Sequence, residues 1–216
     1  AYIANTYADQ VTVLDLKTLE VSGALIGGKE PDGLAWSGSA VRRKAGKAWV
    51  PFLGNATCPI SGEPVRRDCY AEQLGERLYA CNRDCAKKLQ ADFDGWRARI
   101  YPANERRVVG NAHCPCMPDR KADPKFEVAF QGYRVGLCCW KCPARFLTAP
   151  RTHLTLALHP ELTRVSNRTC PVKPGVDVAP DAFVVYQDRL IAVSAGVTPE
   201  DFNRDREAAL KTLDGD

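Results

Sequence analysis

Gly54-Asn55-Ala56-Thr57-Cys58-Pro59 recurs as Gly110-Asn111-Ala112-His113-Cys114-Pro115 and once more as Ser166-Asn167-Arg168-Thr169-Cys170-Pro171. Cys58, Cys114 and Cys170 stand 56 residues apart, a period long enough for one small supersecondary unit per copy. The chain therefore reads as a tandem array whose copies fold alike. The likeness continues downstream, where Gly75-Glu76-Arg77-Leu78-Tyr79-Ala80-Cys81 aligns with Gly132-Tyr133-Arg134-Val135-Gly136-Leu137-Cys138 and with Asp188-Arg189-Leu190-Ile191-Ala192-Val193-Ser194. Four residues on stand Cys85, Cys142 and Thr198, and four beyond those stand Leu89, Phe146 and Phe202. A proline recurs at Pro143 and Pro199.

The third copy keeps the apolar and turn positions but loses both downstream sulfurs, which separates residues needed for folding from residues needed for chemistry. Cys58, Cys69, Cys81 and Cys85 belong to the first copy, Cys114, Cys116, Cys138, Cys139 and Cys142 to the second, and Cys170 alone to the third. Ten cysteines in 216 residues is rich without reaching the density of a disulfide miniprotein. Metal binding, redox chemistry and disulfide stapling are all open on that count.

Units of this length sit near the lower limit for an independent core and need metal, disulfides or neighbours. The net charge of +4 comes from 30 basic and 26 acidic residues, a balance that argues against a dedicated nucleic-acid surface. The cluster Arg42, Arg43, Lys44 and Lys47 reads as a solvated linker. No stretch has the apolar length needed to span a bilayer. No nucleophile with a base, no glycine-rich phosphate loop and no haem-attachment motif is present, so no enzyme is expected. The chain begins with Ala1, which is read as the loss of a signal peptide or of a longer N-terminal part. An extracytoplasmic, periplasmic setting is favoured on that basis. Trp36, Trp49, Trp96 and Trp140 are scattered and are expected to fill cores.

Residues 1–38 have a different character. Short apolar runs at Tyr2–Ala4, Val11–Leu14 and Glu20–Ile26 alternate with Asn, Asp, Lys and Gly turn residues, the pattern of a β-meander. The wording Ala4-Asn5-Thr6, Gln10-Val11-Thr12-Val13-Leu14-Asp15 and Gly28-Lys29-Glu30-Pro31-Asp32-Gly33-Leu34-Ala35-Trp36-Ser37 resembles one blade of the YVTN-type β-propeller family. One blade cannot close a propeller, because its faces and an edge stay uncovered. The resemblance thus implies that the chain is the C-terminal piece of a larger protein, that the blade packs on the repeats, or that another subunit supplies the missing blades. Residues 39–53 then form a linker.

In each complete copy the Cys-Pro turn leads through an extended segment and a glycine turn to a second strand ending at Cys81 or Cys138. Cys81 and Cys85, and likewise Cys138 and Cys142, have i, i+4 spacing, which on a helix places both sulfurs on one face. By the same geometry Cys139 points about 100 degrees away and is expected to be a bystander. The Cys-Pro turn, a nearby second ligand and Gly-x-x-[Leu/Val/Ile]-x-x-Cys-x-x-x-Cys together resemble the YHS and TRASH domains, small metal-binding units related to treble-clef zinc folds. The resemblance implies heavy-metal binding by a sensor, carrier or accessory domain.

The fold class expected is α+β, with three tandem treble-clef-like ββα units at 54–109, 110–165 and 166–216 after the propeller-blade-like meander. The metal ligands expected are Cys58, Cys69, Cys81 and Cys85 in the first unit and Cys114, Cys116, Cys138 and Cys142 in the second, with copper or zinc as the ion. At the place of a second upstream ligand stand Ser61, Met117 and Lys173. Serine is a poor ligand for a soft ion, whereas thioether sulfur suits Cu(I), and Cys69 or Cys116 stands ready to substitute. The third unit is expected to fold without metal on Phe183, Val184, Val185, Leu190, Ile191, Val193, Phe202 and Leu210.

Two other readings stay open. A structural or interaction module with disulfide-bonded cysteines, docked on a larger assembly, fits the same residues. Cys139-Trp140-Lys141-Cys142 also spells a C-x-x-C, although no βαβ frame surrounds it. His113 aligns with Thr57 and Thr169 and is assigned to the turn. Asn55-Ala56-Thr57 and Asn167-Arg168-Thr169 match the glycosylation triplet, but a side chain that caps the turn accounts for them.

Overall fold

The computed structural model describes residues 2–5, 10–14, 21–26 and 46–214. Two separate units are present, Ala1–Ala45 and Gly46–Asp216. In the first, β1 (Tyr2–Asn5), β2 (Gln10–Leu14) and β3 (Val21–Ile26) fall on the three apolar runs and pair antiparallel in the order β1-β2-β3. Tyr2 lies opposite Val13, and Val11 opposite Leu25. The segment Gly28–Ser37 and the basic cluster from Arg42 to Lys44 lie outside the described residues.

The second unit contains the three copies. Copy one is β4 (Arg66–Gln73), β5 (Glu76–Ala80), α1 (Arg83–Ala91) and α2 (Phe93–Ile100). A short β6 (Arg107–Val108) follows. Copy two is β7 (His113–Cys114), β8 (Met117–Lys121), β9 (Asp123–Phe130), β10 (Tyr133–Leu137), α3 (Cys142–Phe146) and α4 (Pro150–Leu158), followed by β11 (Thr163–Arg164). Copy three is β12 (Phe183–Tyr186), β13 (Arg189–Ala192), α5 (Pro199–Arg204) and α6 (Arg206–Asp214). The described sheets are small, with two or three strands each, and the architecture is α+β.

Each copy is built on an antiparallel hairpin with a two-residue loop. Leu74-Gly75 and Gln131-Gly132 both take positive φ at both positions, the turn whose twist matches that of paired strands and which glycine makes accessible. Before each hairpin the repeated phrase forms a smaller loop, tied by backbone bonds from Val65 to Ala56, Ala122 to Ala112 and Val178 to Arg168. One side chain fastens this loop to the second strand of the hairpin. Asn55 Nδ2 donates to the carbonyls of Thr57 and Tyr79, and its Oδ1 accepts from Tyr79 N–H. Asn111 repeats this with His113 and Gly136, and Asn167 Nδ2 donates to Thr169 and Ala192. The asparagine of the triplet is thus a turn-fastening group, and the role expected of His113 falls to its backbone carbonyl.

Neighbouring copies exchange backbone. The short β6, at the end of copy one, pairs parallel with β10 of copy two, and β11 pairs parallel with β13 of copy three. Trp49 bridges Val185 through two backbone bonds, and Ala48 meets the Asn203 side chain, so the leading segment joins the last copy. Gln131, 2% exposed, inserts its amide into copy one, where Oε1 accepts from Arg77 N–H and Nε2 donates to the Arg77 carbonyl and the Tyr101 hydroxyl. α4 has no side-chain cap of its own. Asp181 of copy three accepts from the N–H groups of Arg151 and Thr152 at its start, satisfying orphan donors and complementing the helix dipole.

Each copy keeps its own apolar core. Leu78, Leu89 and Phe93 fill the first; Phe130, Val135, Leu137, Phe146 and Leu154 fill the second; Val184, Ile191, Val193 and Phe202 fill the third. Phe183, Val185 and Leu190 are buried against Leu162 of copy two, and Leu210 is partly buried. Full burial of one such side chain contributes about 1.5–3 kcal/mol. An exposed pair such as Arg66–Asp68 is screened by water and adds little, so the core dominates. The expectation for tryptophan needs correction: Trp49 is 40% and Trp140 73% exposed, while Trp96 packs on the first core and Trp36 lies outside the described residues. Trp140 sits in the turn before α3, where the adjoining cysteines take the inward positions.

Replacing Gln131 with alanine leaves Arg77 and Tyr101 without those partners and is expected to lower stability by about 1–3 kcal/mol. Urea unfolding together with faster hydrogen exchange at the Arg77 amide measures it, and an unchanged midpoint refutes the coupling described.

Candidate metal centres

The sulfur positions follow from the hairpin and the fastened turn. In the first copy Cys58 arrives on the Cys-Pro turn, Cys81 just after β5, and Cys85 in the first turn of α1. Their three sulfurs all lie within 4.8 Å of one another. Cys81 and Cys85 Sγ are 3.8 Å apart. Thiolates that share a tetrahedral ion with bonds of about 2.3 Å stand about 3.8 Å apart, so the spacing is that of a ligand set. Cys58 and Cys85 are buried and Cys81 is half-buried.

One expectation about these sulfurs is corrected. Cys81 and Cys85 do not share a helix face, because α1 begins at Arg83 with Asn82 as its cap. Asn82 explains why the sulfurs still converge: its Oδ1 accepts from Cys85 N–H, while its Nδ2 donates to Cys81 Sγ at 3.2 Å. This residue was missed in the sequence, although an asparagine before a helical run is the ordinary signal of a cap. Ser61 Oγ, at the place of the second upstream ligand, lies 3.2 Å from Cys81 Sγ. Cys69 is buried in β4 and is not one of the three grouped sulfurs.

The second copy gathers more sulfur. Cys114, Cys116 and Cys142 form one group within 4.8 Å, and Cys138, Cys139 and Cys142 form another. Cys142 Sγ is 3.7 Å from Cys114, 3.6 Å from Cys138 and 3.6 Å from Cys139. Met117 Sδ lies 3.9 Å from Cys138 Sγ. Cys139 is therefore no bystander. The helical-wheel argument failed because α3 begins only at Cys142, so residues 138–141 form a turn that brings Cys139 inward.

The two copies share an electrostatic pattern. Burial pushes the Cys58 thiol up, but hydrogen bonds from the backbone of Cys81, from Ser61 and from Ile60 outweigh it, and the pKa falls to about 6. Cys85 is pushed up to about 11 by burial and by the neighbouring sulfurs of Cys81 and Cys58. In the second copy burial again opposes ionisation of Cys114, and backbone hydrogen bonds from Cys138 and Cys116 again win and lower it. Burial and the surrounding sulfurs raise Cys142, and burial with the adjacent Cys114 pushes Cys116 up to about 12. In both copies the turn cysteine is thus the more readily ionised thiol, and the helix cysteine holds its proton more tightly.

The third copy has the frame without the ligands. Cys170 is buried, but Ser194 and Thr198 occupy the downstream positions, and the buried Ser194 side chain lies beside the Cys170 thiol and lowers its pKa. Thr198 instead caps α5 in a reciprocal box with Asp201, and Pro199 opens the helix. A capping box defines the start of the helix where sulfurs stand in the other copies. No group of metal-ligating side chains forms there among the described residues. All ten cysteines of the chain are free thiols. Comparison with protein-family models, curated proteins and solved structures gave no match. Among the described residues no helix is long and apolar enough to cross a membrane.

Metal must displace the thiol proton of Cys85, so affinity at the first site is expected to rise with pH across the neutral range. Above about pH 6 Cys58 is already ionised and adds no proton competition; below that value it does, and the dependence steepens. Competition against a chromophoric chelator across pH checks this, and a constant slope through pH 6 contradicts it.

Proposed function

We propose that the protein binds a thiophilic heavy metal, copper or zinc, through the cysteine groups of its first two copies, and serves as an accessory or metal-handling protein and not as an enzyme. The observation that carries this reading is internal to the chain. Sulfurs from three separate chain points converge in copies one and two, while copy three keeps the same hairpin and helices with serine and threonine in their place. A purely structural need for the thiols would apply to all three copies. The polarity of each group, an acidified thiol at the turn and a thiol of raised pKa at the helix, suits a site that exchanges protons for metal.

The copies resemble YHS and TRASH domains in motif, and that resemblance supports the metal-handling reading and a treble-clef-like description of each unit. The blade-like meander of residues 1–38 supports attachment to a larger assembly or to further propeller blades. An extracytoplasmic setting is part of the same proposal. No nucleic acid is invoked, since the charge is nearly balanced.

Two measurements on the whole chain decide. Elemental analysis after loading should find metal that is diminished by Cys85→Ser and unchanged by Cys170→Ser or Cys69→Ser. Alkylation of the loaded protein should spare Cys81, Cys85, Cys138 and Cys142 until a chelator is added. Finding those four in disulfides in the isolated protein, with no metal taken up after reduction, would falsify the proposal in favour of a stapled module.

A further inference from the structure

The second copy has more sulfur than one ion can use. It offers five thiols, and a single tetrahedral ion takes four ligands at most. The five sort into two triads, Cys114/Cys116/Cys142 and Cys138/Cys139/Cys142, with Cys142 in both. Cys142 is 1% exposed, and its sulfur touches those of Cys114, Cys138 and Cys139 at 3.6–3.7 Å. The additions over copy one are specific. Cys116 takes the place of Ile60 in the Cys-Pro turn, Cys139 that of Asn82 before the helix, and Met117 that of Ser61. Exchanging Asn82 for a cysteine gives up a helix cap: α1 has one and α3 does not. A cap satisfies an orphan backbone donor at the helix start, so the frame sacrifices local stability for a fifth thiol.

We infer that the second copy holds a two-ion Cu(I)–thiolate cluster in which Cys142 bridges both ions and each triad binds one; this rests on the metal-binding reading above. Two three-coordinate ions sharing one sulfur need five thiolates, the number present. Two zinc ions, each four-coordinate, need more thiolates than five sulfurs with one bridge can supply. Soft thiolate and thioether donors favour Cu(I), and Met117 Sδ, 3.9 Å from Cys138 Sγ, adds a thioether at the edge of the second triad. Each thiol that binds releases its proton to solvent, and copper enters and stays as Cu(I), so no electron is transferred. Copy one, with a single triad, holds one ion.

The test is an anaerobic Cu(I) titration of the reduced whole chain, read by native mass spectrometry and by X-ray absorption. Three ions per chain and a metal–metal scattering shell are expected. The double variant Cys116→Ser/Cys139→Ser leaves copy two only Cys114, Cys138 and Cys142, the thiols aligned with the triad of copy one, and the chain should bind two ions without that shell. Cys81→Ser in copy one should also bind fewer ions but keep the shell. That second variant shows that the loss tracks the bridge and not misfolding. Two ions in the unaltered chain, one per copy and no metal–metal shell, overturn the bridged cluster while leaving metal binding intact. So does a double variant that still binds three. No ion at either copy removes the metal reading itself.

Discussion

The asparagine of the repeated phrase ties three levels of this molecule together. Its side chain satisfies its own turn and the second strand of the hairpin at once, in copies one and two with both amide atoms. Without that fastening, the Cys-Pro loop would be a free polar excursion, since loops pack poorly by themselves. With it, the turn cysteine sits against the end of the second strand, where backbone N–H groups meet its sulfur and the next cysteine follows. The thiol groups therefore depend on a neutral hydrogen-bonded side chain three residues upstream more than on any charge.

Copy three makes the division between frame and chemistry visible. Its core residues are buried as fully as those of the other copies, and its asparagine still reaches Thr169 and Ala192. At the places of the downstream sulfurs the replacements have found other work: Thr198 with Asp201 defines the helix start. Ser194, at the place of Cys81 and Cys138, keeps a polar side chain beside Cys170 and lowers the pKa of that thiol.

Much of this was legible in the sequence because the signals were repeated. Period, hairpins, turn glycines, the core of copy three and the convergence of Cys58, Cys81 and Cys85 all follow from residues that recur at fixed offsets. What was misread lay where copies differ by a local boundary. The i, i+4 spacing suggested a shared helix face, yet the helices begin at Arg83 and Cys142, so Cys139 turned inward and Asn82 became the cap. Spacing alone does not say where a helix starts. Trp140 was assigned to a core by residue type, but the turn it occupies faces solvent. The separation of Cys69 from the other sulfurs, and the docking of Gln131 and Asp181 into neighbouring copies, depend on tertiary contacts that no local pattern encodes.

The lent strands β6 and β11 put the unit of duplication out of phase with the unit of folding. A segment cut at the start of the phrase, at Gly110, would leave behind the parallel edge of its own sheet, because Arg107 and Val108 precede it. The preceding segment would meanwhile carry two residues of exposed backbone that belong elsewhere. A copy counted from phrase to phrase ends in the strand that its successor's hairpin takes up, as β6 does for β10 and β11 for β13. At the front Pro51, with no N–H to give, stands at the offset that Arg107 and Thr163 occupy in the later copies. The parallel exchange between successive copies thus gives way at the head to a different pairing, the antiparallel bridge by which Trp49 closes on Val185 of the last copy.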